Sequence, residues 1–269
     1  MRRVVRFGYD GTAFRGWARQ TGQRTVEGEV RNGLLRLGLV SRREPLRLEV
    51  SSRTDRGVSA RANALTLESG LPTPALLRAL NGIAPEIYFT AAAEVSESFQ
   101  VRKASRRKYR YYEPSSGRQS RRWARVARLF EGELDVRSFG RGIPAHAPTR
   151  RTVESVRVRR WGSGLRIDVV GRSFVWNQVR KMVGALREVA AGHLSETGLA
   201  AAARGEVRIT PPLAEPEPLI LWEVDLPVVW EILWRGPNRQ QLAYLHGARA
   251  AAWSRMQMLS ELPGEADGG

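Results

Sequence analysis

Apolar and polar positions alternate at the start of the chain. Val5, Phe7 and Tyr9 share one face of a short strand that ends at Asp10-Gly11-Thr12. The period then changes: Val26, Val30, Leu34 and Leu37 recur at helical spacing, with Thr25 placed to cap the first turn and Glu27 near its positive end. Leu46, Leu48 and Val50 restart a period of two that runs into a loop over Arg53–Gly57. A strand over Ala62–Glu68 follows. A helix opened by Pro72 and Pro74 buries Leu76, Leu77 and Leu80, and a strand covers Ile87–Val95. The order β-α-β-β-α-β predicts an α+β unit with helices on one face of a mixed or antiparallel sheet.

The second half repeats that order without a residue-level repeat. Lys108–Glu113 reads as a strand and Gln119–Phe130 as a helix with Trp123, Val126, Ala127 and Phe130 on one face. Val153–Arg160 and Leu165–Val169 read as a hairpin around Trp161-Gly162-Ser163-Gly164, and a helical pattern resumes through Val175, Val179, Val183 and Leu186. Pro211, Pro212, Pro216 and Pro218 mark a connection, after which Leu219–Leu226 returns to the second sheet and Gln240–Met258 forms a helix. These boundaries predict an N-terminal domain over 1–100, a C-terminal domain over 101–260 and a frayed tail over 261–269.

Composition narrows the class. The 269 residues, 42% of them hydrophobic, are enough to bury a substantial core. Cysteine is absent, which excludes disulfides, thiolate nucleophiles and cysteine-ligated metals; His146, His193 and His246 are scattered, so no metal is expected. The start Met1-Arg2-Arg3 lacks an apolar stretch of signal-peptide type, and no segment has the length of a membrane span, so the expectation is a cytoplasmic protein without membrane partners.

Charge points to the partner. Lys plus Arg number 44 against 27 Asp plus Glu, a formal net charge of +17. Residues 102–128 hold Arg102, Lys103, Arg106, Arg107, Lys108, Arg110, Arg118, Arg121, Arg122, Arg125 and Arg128, opposed only by Glu113 and interleaved with Tyr109, Tyr111, Tyr112 and Trp123. Cations beside stacking rings suit a nucleic acid, although Trp123 reads as core and some of these arginines as an ordinary wet helix face. In so basic a chain, one carboxylate between arginines, in Arg53-Thr54-Asp55-Arg56-Gly57-Val58-Ser59, is a candidate reacting group. A carboxylate acts as nucleophile or base without a metal; a loop ion pair is the plain structural alternative.

Four ordered blocks carry a resemblance. They are Tyr9-Asp10-Gly11-Thr12 with Gly16-Trp17 and Thr25-Val26-Glu27-Gly28; Arg53-Thr54-Asp55-Arg56-Gly57-Val58-Ser59-Ala60; Ser105-Arg106-Arg107-Lys108-Tyr109-Arg110-Tyr111; and Gly171-Arg172-Ser173-Phe174-Val175-Trp176-Asn177-Gln178-Val179-Arg180-Lys181-Met182-Val183-Gly184. Together they span roughly residues 5–190, and the chain resembles the TruA family of transfer-RNA pseudouridine synthases, in motif style its archaeal members. The resemblance implies two related sheet-and-helix domains, their sheets facing a basic catalytic cleft, a homodimer, no cofactor, and isomerisation of uridine to pseudouridine in transfer RNA, in the anticodon stem-loop around positions 38–40. It implies Asp55 as the catalytic aspartate, Arg180 as its basic partner and Tyr109 as the ring stacking on the target base. Arg53, Arg56, Arg106, Arg107, Lys108 and Arg110 are the RNA-facing candidates. Arg56, Ser59 and the Trp176-Asn177-Gln178 run depart from the commoner bacterial pattern; Ser59 excludes a mechanism needing histidine there. A noncatalytic RNA-binding or RNA-chaperone protein on the same scaffold is the rival reading.

Overall fold

The computed structural model describes residues 1–40, 48–114, 119–144 and 146–260. Leu46 of the expected second strand, Arg118 of the basic cluster and the expected tail 261–269 lie outside the described residues.

The first strand, β1 (Arg2–Tyr9), buries Val5, Phe7 and Tyr9 on one face and Val4 on the other. It lies between β3 (Ser59–Glu68) and β4 (Ile87–Glu94), antiparallel to both, and the two-residue β2 (Glu49–Val50) pairs with β3. Helix α1 (Val26–Arg36) begins where expected, with the Thr25 side chain accepting from Gly28 N. Helix α2 (Thr73–Leu80) carries Pro74 in its first turn, where a missing N–H costs nothing, and buries Leu76, Leu77 and Leu80.

In the second half β5 (Arg106–Glu113) is followed by α3 (Ser120–Ala127), whose end tightens into a 3-10 turn over Arg128–Phe130. Then come β6 (Gly132–Asp135), the hairpin β7 (Arg150–Trp161) and β8 (Gly164–Gly171), α4 (Gln178–Ala191) and α5 (Glu196–Arg204). The chain closes with β9 (Leu219–Asp225), β10 (Glu231–Ile232) and α6 (Arg239–Ser260).

Among the described residues, all strands belong to one ten-stranded sheet of order β10-β4-β1-β3-β9-β5-β8-β7-β6, with β2 on β3. This differs from two sheets facing each other across a cleft: the two halves meet edge to edge. The joining strand is β9, antiparallel to β5 and parallel to β3 at Ser59↔Ile220 and Ala60↔Leu221. Expected as a return to the second sheet, β9 satisfies both of its edges by serving the two halves at once. The late elements also reach back across the seam, since β10 pairs with β4, and Gln241 of α6 donates to Asn81 Oδ1 at 3.1 Å and to Ile87 O at 2.9 Å.

One apolar cluster runs under the helices of both halves, from Phe7, Val30 and Leu76 to Tyr111, Ile167 and Val183. On the opposite face a second, small apolar cluster gathers Val4, Ala64, Ala93 and Val101. Elsewhere that face carries charge, as at Arg106, Lys108, Arg166 and Asp168.

Candidate active site

The loop from β2 to β3 is tied down before and after Asp55. Buried Asn63 accepts from Ser52 N at 3.3 Å and donates to Ser52 O at 2.8 Å. The hydroxyls of Tyr9 and Thr54 are 2.7 Å apart, and Trp17 N donates to Thr54 O at 3.1 Å. Val58 N closes the turn by donating to Asp55 O at 3.2 Å, and Gly57 supplies its positive φ of 81°. The first loop braces this turn through Gly11 N, which donates to Ser59 Oγ at 3.0 Å. Asp10 shapes that first loop: its Oδ1 accepts from Thr12 N, and its Oδ2 accepts from the Tyr244 hydroxyl of α6 at 2.6 Å.

The partners of Asp55 come from the entry to α4. Asn177 adopts a left-handed conformation with φ 66°, alone among the described non-glycine residues, and Val175 N donates to the Gln178 side chain. Trp176, just before this turn, donates from Nε1 to Asp55 Oδ1 at 2.8 Å. Arg180 lies in the first turn of α4 and donates from Nη1 to Asp55 Oδ2 at 3.2 Å. Its Nε is spent on Ala214 O at 2.7 Å, so the guanidinium is held at both ends. The proline-rich connection reaches that position because Gly184 lacks a side chain; a Cβ there would stand 1.9 Å from Pro212 O.

Tyr109 projects from β5 into the same cleft. Its ring meets Phe174 edge-on at 5.3 Å and 87°, and burial pushes its hydroxyl up to about 12, with Arg107 and Ser52 opposing. The phenol is therefore a neutral group at ordinary pH. Asp55, Tyr109, Trp176, Arg180 and Arg53 all line a cleft of about 630 Å³, within the span of about 300–1,000 Å³ usual for small-molecule sites. Among the described residues no group of three or more histidines and carboxylates is placed to hold a metal ion.

The candidates thus separate by position. Asp55, Arg180 and Tyr109 converge, and Arg53 stands exposed on the cleft wall. Arg56 is exposed on the same loop but outside the lining. Arg107 also lines the cleft, but it is buried, and its guanidinium donates to Ser52 Oγ at 2.8 Å, Ser51 O at 3.0 Å, Arg102 O at 2.8 Å and Arg172 O. It works as an internal brace for the loop leading to Asp55.

Arg106, Lys108 and Arg110 alternate with Arg107 and Tyr109 and so face the far side of the sheet. There they line a separate basin, and carboxylates engage all three: Arg106 meets Asp225 at 2.8 Å, while Lys108 at 3.6 Å and Arg110 at 2.7 Å share Asp168. The mixed run of cations and rings is therefore two surfaces. Trp123 is core, as its helix face implied.

Trp176 is the site residue that sequence reasoning missed. Its indole N–H adds a second donor to the aspartate, and the only signal was its place in the run before Arg180.

A family model described as tRNA pseudouridine synthase matches residues 126–227. The tRNA pseudouridine synthase A of Thermococcus onnurineus is 37% identical over 228 residues, covering 84% of this chain and 85% of that protein. The protein of the same name from Thermococcus kodakarensis is 37% identical over 229 residues, covering 84% and 85%. That of Pyrococcus furiosus is 34% identical over 231 residues, covering 83% of each.

Proposed function

Since the chain belongs to the TruA family of tRNA pseudouridine synthases, we propose that it isomerises uridine to pseudouridine in transfer RNA with Asp55 as the reacting carboxylate. The observation that carries this reading is the Asp55 carboxylate, which lines a cleft with the Tyr109 ring and is oriented by Trp176 at 2.8 Å and Arg180 at 3.2 Å. In the reaction the bond from ribose C1′ to uracil N1 breaks, the base turns within the cleft, and C1′ bonds to C5. The proton leaves C5 and N1 gains one, so the net change is an isomerisation with no co-reactant.

Asp55 acts at the ribose either by adding to C1′ or by taking a proton from C2′ to give a glycal; both start from the carboxylate that Trp176 and Arg180 hold in place. Tyr109 stacks on the extruded base, offsetting the cost of about a few kcal/mol for leaving the helical stack. Its neutral hydroxyl adds no charge near Asp55. Arg53 and Arg56 meet the RNA backbone at the cleft rim. The targets are uridines of the anticodon stem-loop around positions 38–40, the enzyme works in the cytoplasm as a homodimer, and residues 1–100 and 101–260 act as two lobes about the cleft; these readings rest on the family resemblance.

Tritium release from transfer RNA labelled at uridine C5 tests the assignment. Wild type releases tritium from the anticodon stem-loop uridines. Asp55→Asn releases none while binding transfer RNA with an affinity within about threefold of wild type, because phosphate contacts dominate affinity. A wild type that binds but releases no tritium overturns the catalytic reading in favour of RNA binding alone. An active Asp55→Asn overturns the role of the aspartate.

A further inference from the structure

Among the described residues, three cations beside the site lack ion pairs like those that hold Arg106, Lys108 and Arg110. Arg141 follows the segment after β6. Its backbone N–H donates to Trp176 O at 3.0 Å, and its guanidinium carbon is 5.8 Å from the centre of the Trp176 ring. Lys181 follows Arg180 directly in α4. Arg141 and Lys181 thus adjoin the two residues whose side chains hold the Asp55 carboxylate. Arg208, from the connection after α5, lines a concavity of about 330 Å³ with Gly140, Ile143, Pro144, Thr149 and Arg137.

The concavity joins Arg208 to Gly140, the residue before Arg141. Burial, then Arg141, then Arg208 lower the pKa of the half-buried Lys181 ammonium, with no carboxylate acting in the other direction. Among the described residues no carboxylate lies within ion-pair distance of Arg141, Lys181 or Arg208. The acid that Arg208 influences, Asp135, already holds Arg137 at 2.8 Å. Gathering like charges costs free energy that folding leaves uncompensated here, and an anion arriving from solution offsets it.

The geometry points to Arg141, Lys181 and Arg208 as a binding site for backbone phosphodiesters of the RNA strand that delivers the extruded uridine. The inference rests on the catalytic reading above and adds to it a track: the strand leaves the cleft past Trp176 and crosses the entry to α4 toward Arg208. Phosphates gripped there anchor the strand beside the cleft and carry no base sequence information.

The test uses the full chain and an unmodified transfer-RNA transcript, comparing wild type with Arg141→Gln, Arg208→Gln and the double variant. Binding is followed by fluorescence anisotropy over a series of salt concentrations, and tritium release is followed under single turnover with saturating enzyme. For each phosphate that a variant no longer neutralises, the slope of log affinity against log salt falls by about 0.7–0.9 and affinity at low salt drops several-fold. The rate at saturation stays within about twofold of wild type, because a phosphate grip acts mainly on binding. Arg208→Lys restores the slope, which separates charge from shape.

A folded double variant with wild-type affinity and slope overturns the inference. So does a double variant with an unchanged slope and a slower saturated rate, which would make these residues supports for Trp176. Failure of the catalytic reading looks different: wild type itself would bind and release no tritium.

Discussion

At the scale of single residues, the site depends on how two donors divide the oxygens of Asp55. Trp176 takes Oδ1 and Arg180 takes Oδ2, so the carboxylate plane is fixed by groups from one helix entry. Trp176→Phe keeps an aromatic ring and removes only the N–H. Single-turnover tritium release is expected to slow about tenfold, equivalent to one modest hydrogen bond of ~1.4 kcal/mol, with transfer-RNA affinity unchanged by anisotropy. A rate equal to wild type would show that Arg180 alone orients the aspartate. Asp55, Arg180 and Tyr109 were legible because ordered blocks named them together. Strand parity places Arg107 on the cleft side with Tyr109, and its burial against the Asp55 loop shows only in the fold. Trp176 was hidden because an indole in an apolar run reads as packing, and its donor role exists only once residue 55 is brought across from the other half.

At the scale of elements, the proline-rich connection does more than join α5 to β9. It crosses α4 at Gly184, supplies Ala214 O to Arg180, and sets Pro216 against Gly57 of the Asp55 turn. Glu215 then pins it to Arg187 at 2.7 Å. Gly184→Ala would drive a methyl group into the Pro212 carbonyl, so the connection must shift. We expect the variant to lose about 1–3 kcal/mol of stability from overpacking, read as a lower urea midpoint. The rate should fall as well, since Ala214 O moves from Arg180. A destabilised variant with an unimpaired rate would disconnect the crossing from the site. The strands and helices with strong periodicity were readable, and α6 was anticipated over Gln240–Met258 although its faces differ little. Three elements were not: β6 has four residues and β10 two, and the alanines of α5 give little contrast between its faces. The sequence also showed no reason for the connection to pass over α4, because a missing Cβ matters only against a backbone that arrives later in the chain.

At the scale of the whole molecule, one sheet and one core bind the halves together, and the buried phenols make that assembly sensitive to alkali. Burial raises the hydroxyls of Tyr88 and Tyr109 from the ordinary 10.0 to about 12, and those of Tyr9, Tyr111 and Tyr244 further. A group whose pKa is higher in the folded state contributes stability that is complete below its unfolded pKa and is lost as pH rises through its folded pKa. The urea midpoint should therefore hold steady from neutral pH to about pH 9 and fall between about pH 10 and 12. Tyr109→Phe should flatten part of that fall. A midpoint indifferent to pH over this range would contradict the burial of these rings. Periodicity reported each half as α+β, but it could not report that the halves share a sheet. That depends on which edges β9 chooses, and pairing partners leave no periodic trace.

The position of β9 in the chain has a consequence for biosynthesis. The strand that unites the halves belongs to the last fifth of the polypeptide, whereas β3 and β5, the edges it joins, emerge from the ribosome long before it. A growing chain therefore displays two unpaired strand edges at its centre from the emergence of β5 until β9 follows, a state open to wrong partners and one that chaperones exist to shield. Asp55 and Arg180, one from each half, thus meet across a seam that this late strand closes.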